Sequence, residues 1–151
     1  MRRSETITTE AFRQRLVELC LKSGMAGFPR RPRDRHILLK SVALTLEVRA
    51  TYTEKQVDRK LVSWLGDIVR SIGIDRVTLR RLLVDEGYLG RERDGSRYWV
   101  AALGPRRGEF ETRFDAQIDE LDVSETVAEG ARQLQMSKRA HASGGKIRPH
   151  V

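Results

Sequence analysis

Phe12, Leu16, Leu19 and Cys20 recur at helical spacing and predict a first helix over about residues 9–22. Thr8 is its expected cap, and Glu10 lies in the first turn, where the helix dipole favours negative charge. Gly24 and Gly27 end it. A second helix is predicted over about residues 32–46. Pro32 sits in its first turn, and Ile37, Leu38, Ser41, Val42 and Thr45 trace its core face. Residues 49–52 are short and β-friendly. Thr53-Glu54-Lys55-Gln56 then reads as a capping box, opening a helix to about Val69 with Val57, Leu61, Trp64, Leu65 and Ile68 on one stripe. Ser71-Ile72-Gly73-Ile74 is the turn before the next helix, which is capped by Asp75 and runs from Arg76 to about Glu86. Leu79, Leu82 and Leu83 point inward, and Gly87 stands at the left-handed stop. Residues 89–93 and 97–101 read as strands around Asp94-Gly95, a strong hairpin signal.

The order helix, short strand, helix, turn, helix, strand, tight turn, strand predicts a winged helix-turn-helix over residues 28–101. In that geometry the last helix enters the major groove, and the hairpin touches the backbone or minor groove beside it. The fold class expected is mainly α with a small β-hairpin, extended by helices at both ends. Residues 1–27 form the N-terminal helix and linker. Past Gly104-Pro105, Phe110, Phe114, Ile118 and Leu121 recur at spacings of four, four and three, predicting an acidic amphipathic helix within residues 102–136. Ser124 is the expected cap of a further helical stretch, with Val127, Ala131 and Leu134 facing one way. Residues 137–151 are basic and poor in apolar side chains, and Ser143-Gly144-Gly145 is costly to order, so a disordered tail is expected there.

Charge sharpens this picture. The 151 residues carry 29 Lys plus Arg against 21 Asp plus Glu, a formal net charge of +8, which favours polyanionic partners. The excess is uneven. Residues 28–101 hold 16 basic and 10 acidic side chains, whereas residues 102–135 hold 4 and 8. Residues 136–151 hold 4 basic and no acidic side chains. The single cysteine, Cys20, excludes an intrachain disulfide and reads as a small buried hydrophobe. No apolar run is long enough to span a membrane, and no signal peptide is recognised, so the expected location is the cytoplasm, with the nucleoid as the place a DNA-binding role implies.

The candidate recognition helix carries Arg76, Thr78, Arg80 and Arg81, and the hairpin carries Arg91, Arg93 and Arg97. Arg76 and Arg80 are four apart and share a face. A guanidinium fork suits guanine edges and phosphates. On this reading, replacing Arg76 and Arg80 by Ala weakens duplex binding and leaves the melting temperature nearly unchanged. Arg81 and Asp85, also four apart, are an alternative surface pair. Tyr98 and Trp99 alternate on a strand, so one faces the core. The other either stacks on a base or docks the C-terminal helices, with docking favoured.

Phe28-Pro29 and the basic helix after it, Tyr52-Thr53-Glu54-Lys55-Gln56-Val57-Asp58, the run from Val77 to Arg91 and Asp94-Gly95-Ser96-Arg97-Tyr98-Trp99 together resemble the bacterial family called domain of unknown function 2087. The resemblance covers about half the chain and is most specific from Thr78 to Tyr98. It rests on Tyr52, Thr53, Glu54, Leu79, Arg80, Arg81, Val84, Asp85, Gly87, Leu89, Arg91, Gly95 and Tyr98. It implies a small winged-helix module with a transcription-related role, and no established ligand or reaction.

Enzymatic chemistry finds no support. His36, His141 and His150 are far apart, and neither Cys-x-x-Cys nor His-Glu-x-x-His is present, so no metal is expected. Ser143-Gly144-Gly145-Lys146 is only a fragment of a nucleotide loop, and Asp119-Glu120 reads as a solvating pair. No nucleophile, base and orienting group assemble, and no cofactor is expected. The leading expectation is a DNA-binding transcriptional regulator with duplex DNA as its partner. The alternatives are an RNA- or ribosome-associated winged-helix protein and a protein-interaction adaptor. The stripe of Phe110, Phe114, Ile118 and Leu121 either pairs two copies in a homodimer or packs on its own domain.

Overall fold

The computed structural model describes residues 3–21, 27–68, 73–101 and 110–146. Its elements in chain order are β1 (Arg3–Ile7), α1 (Thr9–Leu21), α2 (Pro32–Ala43), β2 (Thr51–Tyr52), α3 (Glu54–Ser63) and a π-helical turn (Trp64–Ile68). There follow α4 (Arg76–Asp85), β3 (Leu89–Arg91), β4 (Tyr98–Val100), β5 (Phe110–Phe114), a 3-10 turn (Ala116–Glu120) and α5 (Val123–Lys146). The fold is thus mostly helical, with a small antiparallel sheet of order β2-β4-β3 and a separate parallel pair, β1 with β5. The expected breaks at Gly24, at Ser71-Ile72 and at Gly104-Pro105 lie outside the described residues, as do the predicted ends at Lys22 and Val69 and residues 147–151.

Local chemistry accounts for the helix starts. The Thr8 hydroxyl accepts from the Ala11 N–H at 3.1 Å. At α3 the capping box is complete: Gln56 N–H donates to Thr53 Oγ1 at 3.2 Å, and Thr53 N–H donates to Gln56 Oε1 at 2.9 Å. Asp75 Oδ1 accepts from Thr78 N–H at 2.7 Å and starts α4. At its far end Gly87 takes φ +85°, while Gly87 N–H and Tyr88 N–H reach back to Val84 O and Leu83 O. That closure turns the chain directly into β3. At the hairpin tip, Gly95 at φ +74° donates to Glu92 O at 2.9 Å. This turn takes up Glu92 to Arg97, so both strands are shorter than expected. Across the sheet Gly90 pairs with Trp99, and the indole lies over Gly90 so closely that a Cβ there would sit 2.3 Å from Nε1. Tyr98 is the ring that faces the core.

α2 is the central layer. Ile37, Leu38, Leu39 and Val42 are wholly buried, as is Ser41. Phe12 and Leu16 of α1, Val57, Leu61 and Trp64 around α3, and Leu79 and Leu83 of α4 join them in one continuous cluster. Leu82 is half-buried and packs against this cluster, as does Val84. The buried polar groups are partnered. Trp64 Nε1 donates to Ser41 Oγ at 3.1 Å, and Ser41 donates on to Leu38 O. The thiol of Cys20 is buried, and burial pushes its pKa up to about 12, which leaves an inert small hydrophobe.

Two expectations are corrected at the C-terminal side. Residues 110–114 form a strand, not a helix; β5 pairs with β1 in parallel from Arg3↔Phe110 to Ile7↔Phe114. A spacing of four is even, so Phe110 and Phe114 share one side of a strand as readily as one face of a helix. The β-prone residues Phe110, Thr112 and Phe114 and an available partner edge decide the outcome. Phe114 meets Phe12 edge-on with ring centres 5.9 Å apart, Ile118 is wholly buried and Leu121 packs on the core. These three side chains are therefore occupied within the chain; the Phe110 side chain lies outside the description. The second correction concerns residues 137–146, which continue α5 instead of forming a disordered tail. Leu134, Gln135, Met136, Lys138, Arg139 and Ala140 are good helix formers, and they carry the helix into the glycines. The cap of α5 is Asp122, accepting from Glu125 N–H at 3.0 Å, in place of Ser124.

Two of the polar links between α2 and its neighbours bear on stability and its pH dependence. Arg15 of α1 grips Asp34 with both prongs, Nε to Oδ1 at 2.9 Å and Nη2 to Oδ2 at 3.0 Å. These bonds hold the Asp34 carboxyl below the usual range. Asp34→Ala should lower stability by about 1–3 kcal/mol in urea denaturation, because the part-buried Arg15 loses its main partner. His36 is buried with Nδ1 2.8 Å from the Tyr88 hydroxyl. Burial lowers its pKa below the ordinary 6.5, with Glu86 opposing and Arg35 reinforcing the shift. The unfolded chain therefore takes up a proton first as pH falls. Stability from this group is complete above about pH 6.5 and declines below it, and Asp34 adds a separate decline only below its own ordinary 3.8. Urea midpoints measured from about pH 7 to pH 5 should fall for the wild type and flatten for His36→Gln.

Candidate nucleic-acid interface

The surface formed by α4 and the β3–β4 hairpin holds all seven arginine and threonine positions singled out from the sequence, and it divides them into two kinds. Arg80 faces α3. One guanidinium nitrogen lies 2.9 Å from Glu54 Oε1, and another hydrogen-bonds Asp58 Oδ1. Its side chain is only 13% exposed. Burial pulls its pKa down, but the carboxylates of Asp58 and Glu54 outweigh this and raise it. Glu54 and Asp58 are one helical turn apart on α3, so a single planar fork bridges both and sets the packing of the two helices.

The other positions are exposed. Arg76 Nε lies 3.7 Å from Asp58 Oδ2, yet its side chain remains 56% exposed. Thr78 is exposed, its N–H engaged by Asp75. Arg81 is exposed and has no ion-pair partner among the described residues; the alternative pair with Asp85 does not form. On the hairpin, the Arg91 guanidinium lies over the Tyr98 ring at 5.9 Å and donates to Glu92 O at 3.2 Å. Arg97 Nη1 reaches Thr51 Oγ1 at 3.4 Å, and Arg93 stands exposed at the tip. The structure thus leaves Thr78 and Arg81 on the outward side of α4, with Arg91, Arg93 and Arg97 on the hairpin that follows it; Arg76 shares the α3-facing side with Arg80 but stays exposed at the start of the helix.

Carboxylates bound this surface. Asp85 ends α4 exposed, and Glu86 is taken by Arg35 at 3.3 Å. At the hairpin tip, hydrogen bonds from Ser96 to Asp94 hold that carboxyl below its ordinary range. Sequence reasoning missed Glu54 and Asp58 as anchors, although their spacing of four on α3, opposite an arginine-rich helix, was the available signal. It had no signal for Arg35–Glu86 or for Lys40–Asp119 at 2.7 Å, whose members are far apart in the chain. Among the described residues no group of three His, Cys, Asp or Glu side chains could hold a metal ion, and no helix is long and apolar enough to cross a membrane.

The family model of an uncharacterized protein conserved in bacteria, DUF2087, matches residues 25–100. The chain belongs to this family. The DUF2087 segment runs from before α2 to the end of β4, so it contains the whole α4–hairpin surface and its α3 anchors, while β1, α1, β5 and α5 lie outside it. No curated protein and no solved structure matches the chain.

The anchoring of Arg80 changes what the paired substitution of Arg76 and Arg80 should do. Arg80→Ala leaves Glu54 and Asp58 facing α4 without their main counter-charge. It should cost about 1–3 kcal/mol in chemical denaturation and lower the melting temperature. Arg81→Ala should stay within about 0.5 kcal/mol of wild type in the same experiment.

Proposed function

We propose that the DUF2087 segment is a winged helix-turn-helix that binds duplex DNA, and that the protein is a transcriptional regulator acting in the cytoplasm on the nucleoid. The observation that carries this reading is the pair of outward cations with no ion-pair partner among the described residues, Arg81 on α4 and Arg93 at the hairpin tip, in a segment of 16 basic and 10 acidic residues. The order α2-β2-α3-α4-β3-β4, with the sheet arranged β2-β4-β3, supports it. α4 enters the major groove by its first turns, with Arg76, Thr78 and Arg81 toward bases or phosphates. Arg91, Arg93 and Arg97 hold the backbone alongside. Arg80 positions α4 on α3 and makes no contact with DNA. The acidic C-terminal end of α4 stays outside the groove, where phosphate repulsion would otherwise oppose entry.

Fluorescence anisotropy with random duplex, structured RNA and a selected duplex pool tests the reading across a salt series. Duplex binding should retain sequence preference as salt rises. The Arg81→Ala/Arg93→Ala variant should bind more weakly at an unchanged melting temperature, its log–log salt slope reduced by about 0.9 per arginine removed. Undiminished binding in that variant sinks the interface assignment. A clear preference for structured RNA replaces duplex DNA with the RNA-associated alternative.

A further inference from the structure

A groove of about 770 Å³ runs between α1 and the first half of α5, on helices outside the DUF2087 segment. Its floor is Val17 and Leu134, and the helices come together at Gly130, where a Cβ would sit 2.4 Å from Val17 Cγ1. Its walls are acidic on both sides: Glu10 and Glu18 from α1, Glu125 and Glu129 from α5. Arg13 is the one cation among the described lining residues. Glu10 and Glu18 are eight residues apart and Glu125 and Glu129 four, which spaces the carboxylates about 12 Å and about 6 Å along the two walls. Leu134 is 45% exposed, so the apolar floor is open.

We propose that this groove docks a helical, arginine- and lysine-rich segment of another protein. The volume is that of a site taking one row of side chains. Cations one and two helical turns apart on the incoming helix match the carboxylate rows, and an apolar residue between them covers Val17 and Leu134. Glu18 is held by Arg15 at 2.7 Å, and Glu125 and Glu129 are held by Arg132. These pairs are solvent-exposed, so an incoming guanidinium exchanges with them at little cost. Residues 102–135 are net acidic on a chain whose total charge is +8. The described lining of the groove itself holds Glu10, Glu18, Asp122, Glu125 and Glu129 against Arg13 alone, so a basic segment meets complementary charge here on a molecule that is basic as a whole. This inference stands independently of the DNA-binding reading, since it uses none of the α4 or hairpin residues.

The test titrates the full chain into a fluorescein-labelled, alanine-rich helical peptide with arginines at one- and two-turn spacing and a leucine between them. Its glutamate counterpart serves as control, and anisotropy is read at low and high salt. The arginine peptide should bind, the glutamate peptide should not, and high salt should weaken binding. Glu125→Gln/Glu129→Gln should weaken it at least about tenfold. Glu10→Gln on the opposite wall, which leaves Arg132 and its partners untouched, should weaken it about threefold or more, and Glu47→Gln, an exposed carboxylate outside the groove, should have no effect. Binding unchanged by both groove variants overturns the proposal. So does wild-type self-association in sedimentation that Glu10→Gln abolishes, which would make a second copy the occupant.

Discussion

The guanidinium of Arg80 lies between two carboxylates of α3, and the orientation of α4 depends on that bridge. Leu79 and Leu83 anchor α4 in the core and Leu82 and Val84 pack beside them, which fixes the apolar side of the helix. A planar fork held by carboxylates one turn apart on the neighbouring helix fixes the side that faces α3. Once α4 is set, Gly87 and the backbone bonds behind it send the chain into β3, so the hairpin inherits its position from the same contact. Turning Arg80 inward leaves Thr78 and Arg81 outward, since they lie about 160° and about 100° from it around the helix, whereas Arg76, one turn earlier, shares its face and reaches the same Asp58. Four basic or polar positions on one short helix are thereby divided into two that meet the carboxylates of α3 and two that face outward.

Much of the central segment was legible in the sequence because its signals are local. A capping box, an aspartate cap, a glycine at a left-handed stop and an Asp-Gly turn each act within a few residues, and each appears where the pattern placed it. The site was legible only as composition. Which arginine of α4 points inward depends on what α3 presents across the helix pair, and periodicity measured on α4 alone does not contain that. Arg80 was read as a surface residue because arginine is usually exposed, and its two partners lie 22 and 26 residues earlier in the chain.

Beyond residue 101 the sequence misled for a physical reason. The period of a strand and the spacing of adjacent helical turns coincide at four residues, so the two phenylalanines at 110 and 114 were ambiguous by themselves. The deciding factor was an edge strand at the opposite end of the chain, whose own residues, Arg3 to Ile7, carry no strong strand pattern. Helical persistence beyond residue 137 was underestimated in a similar way. Low hydrophobicity argues against a packed core, but it does not argue against a helix whose residues favour that conformation intrinsically.

The parallel pairing of β1 with β5 joins segments separated by roughly a hundred residues. During synthesis β1 emerges from the ribosome first and has no edge to join until Phe114 has followed it. The pairs α1 with α2 and α3 with α4 close over shorter stretches of chain, and contacts of low sequence separation form fastest. The β1–β5 sheet and the packing of α5 on α1 are therefore the late steps of assembly. Ile7, buried in the finished fold, lacks that strand partner in the interval, and exposed apolar surface of this kind is what invites association with other chains.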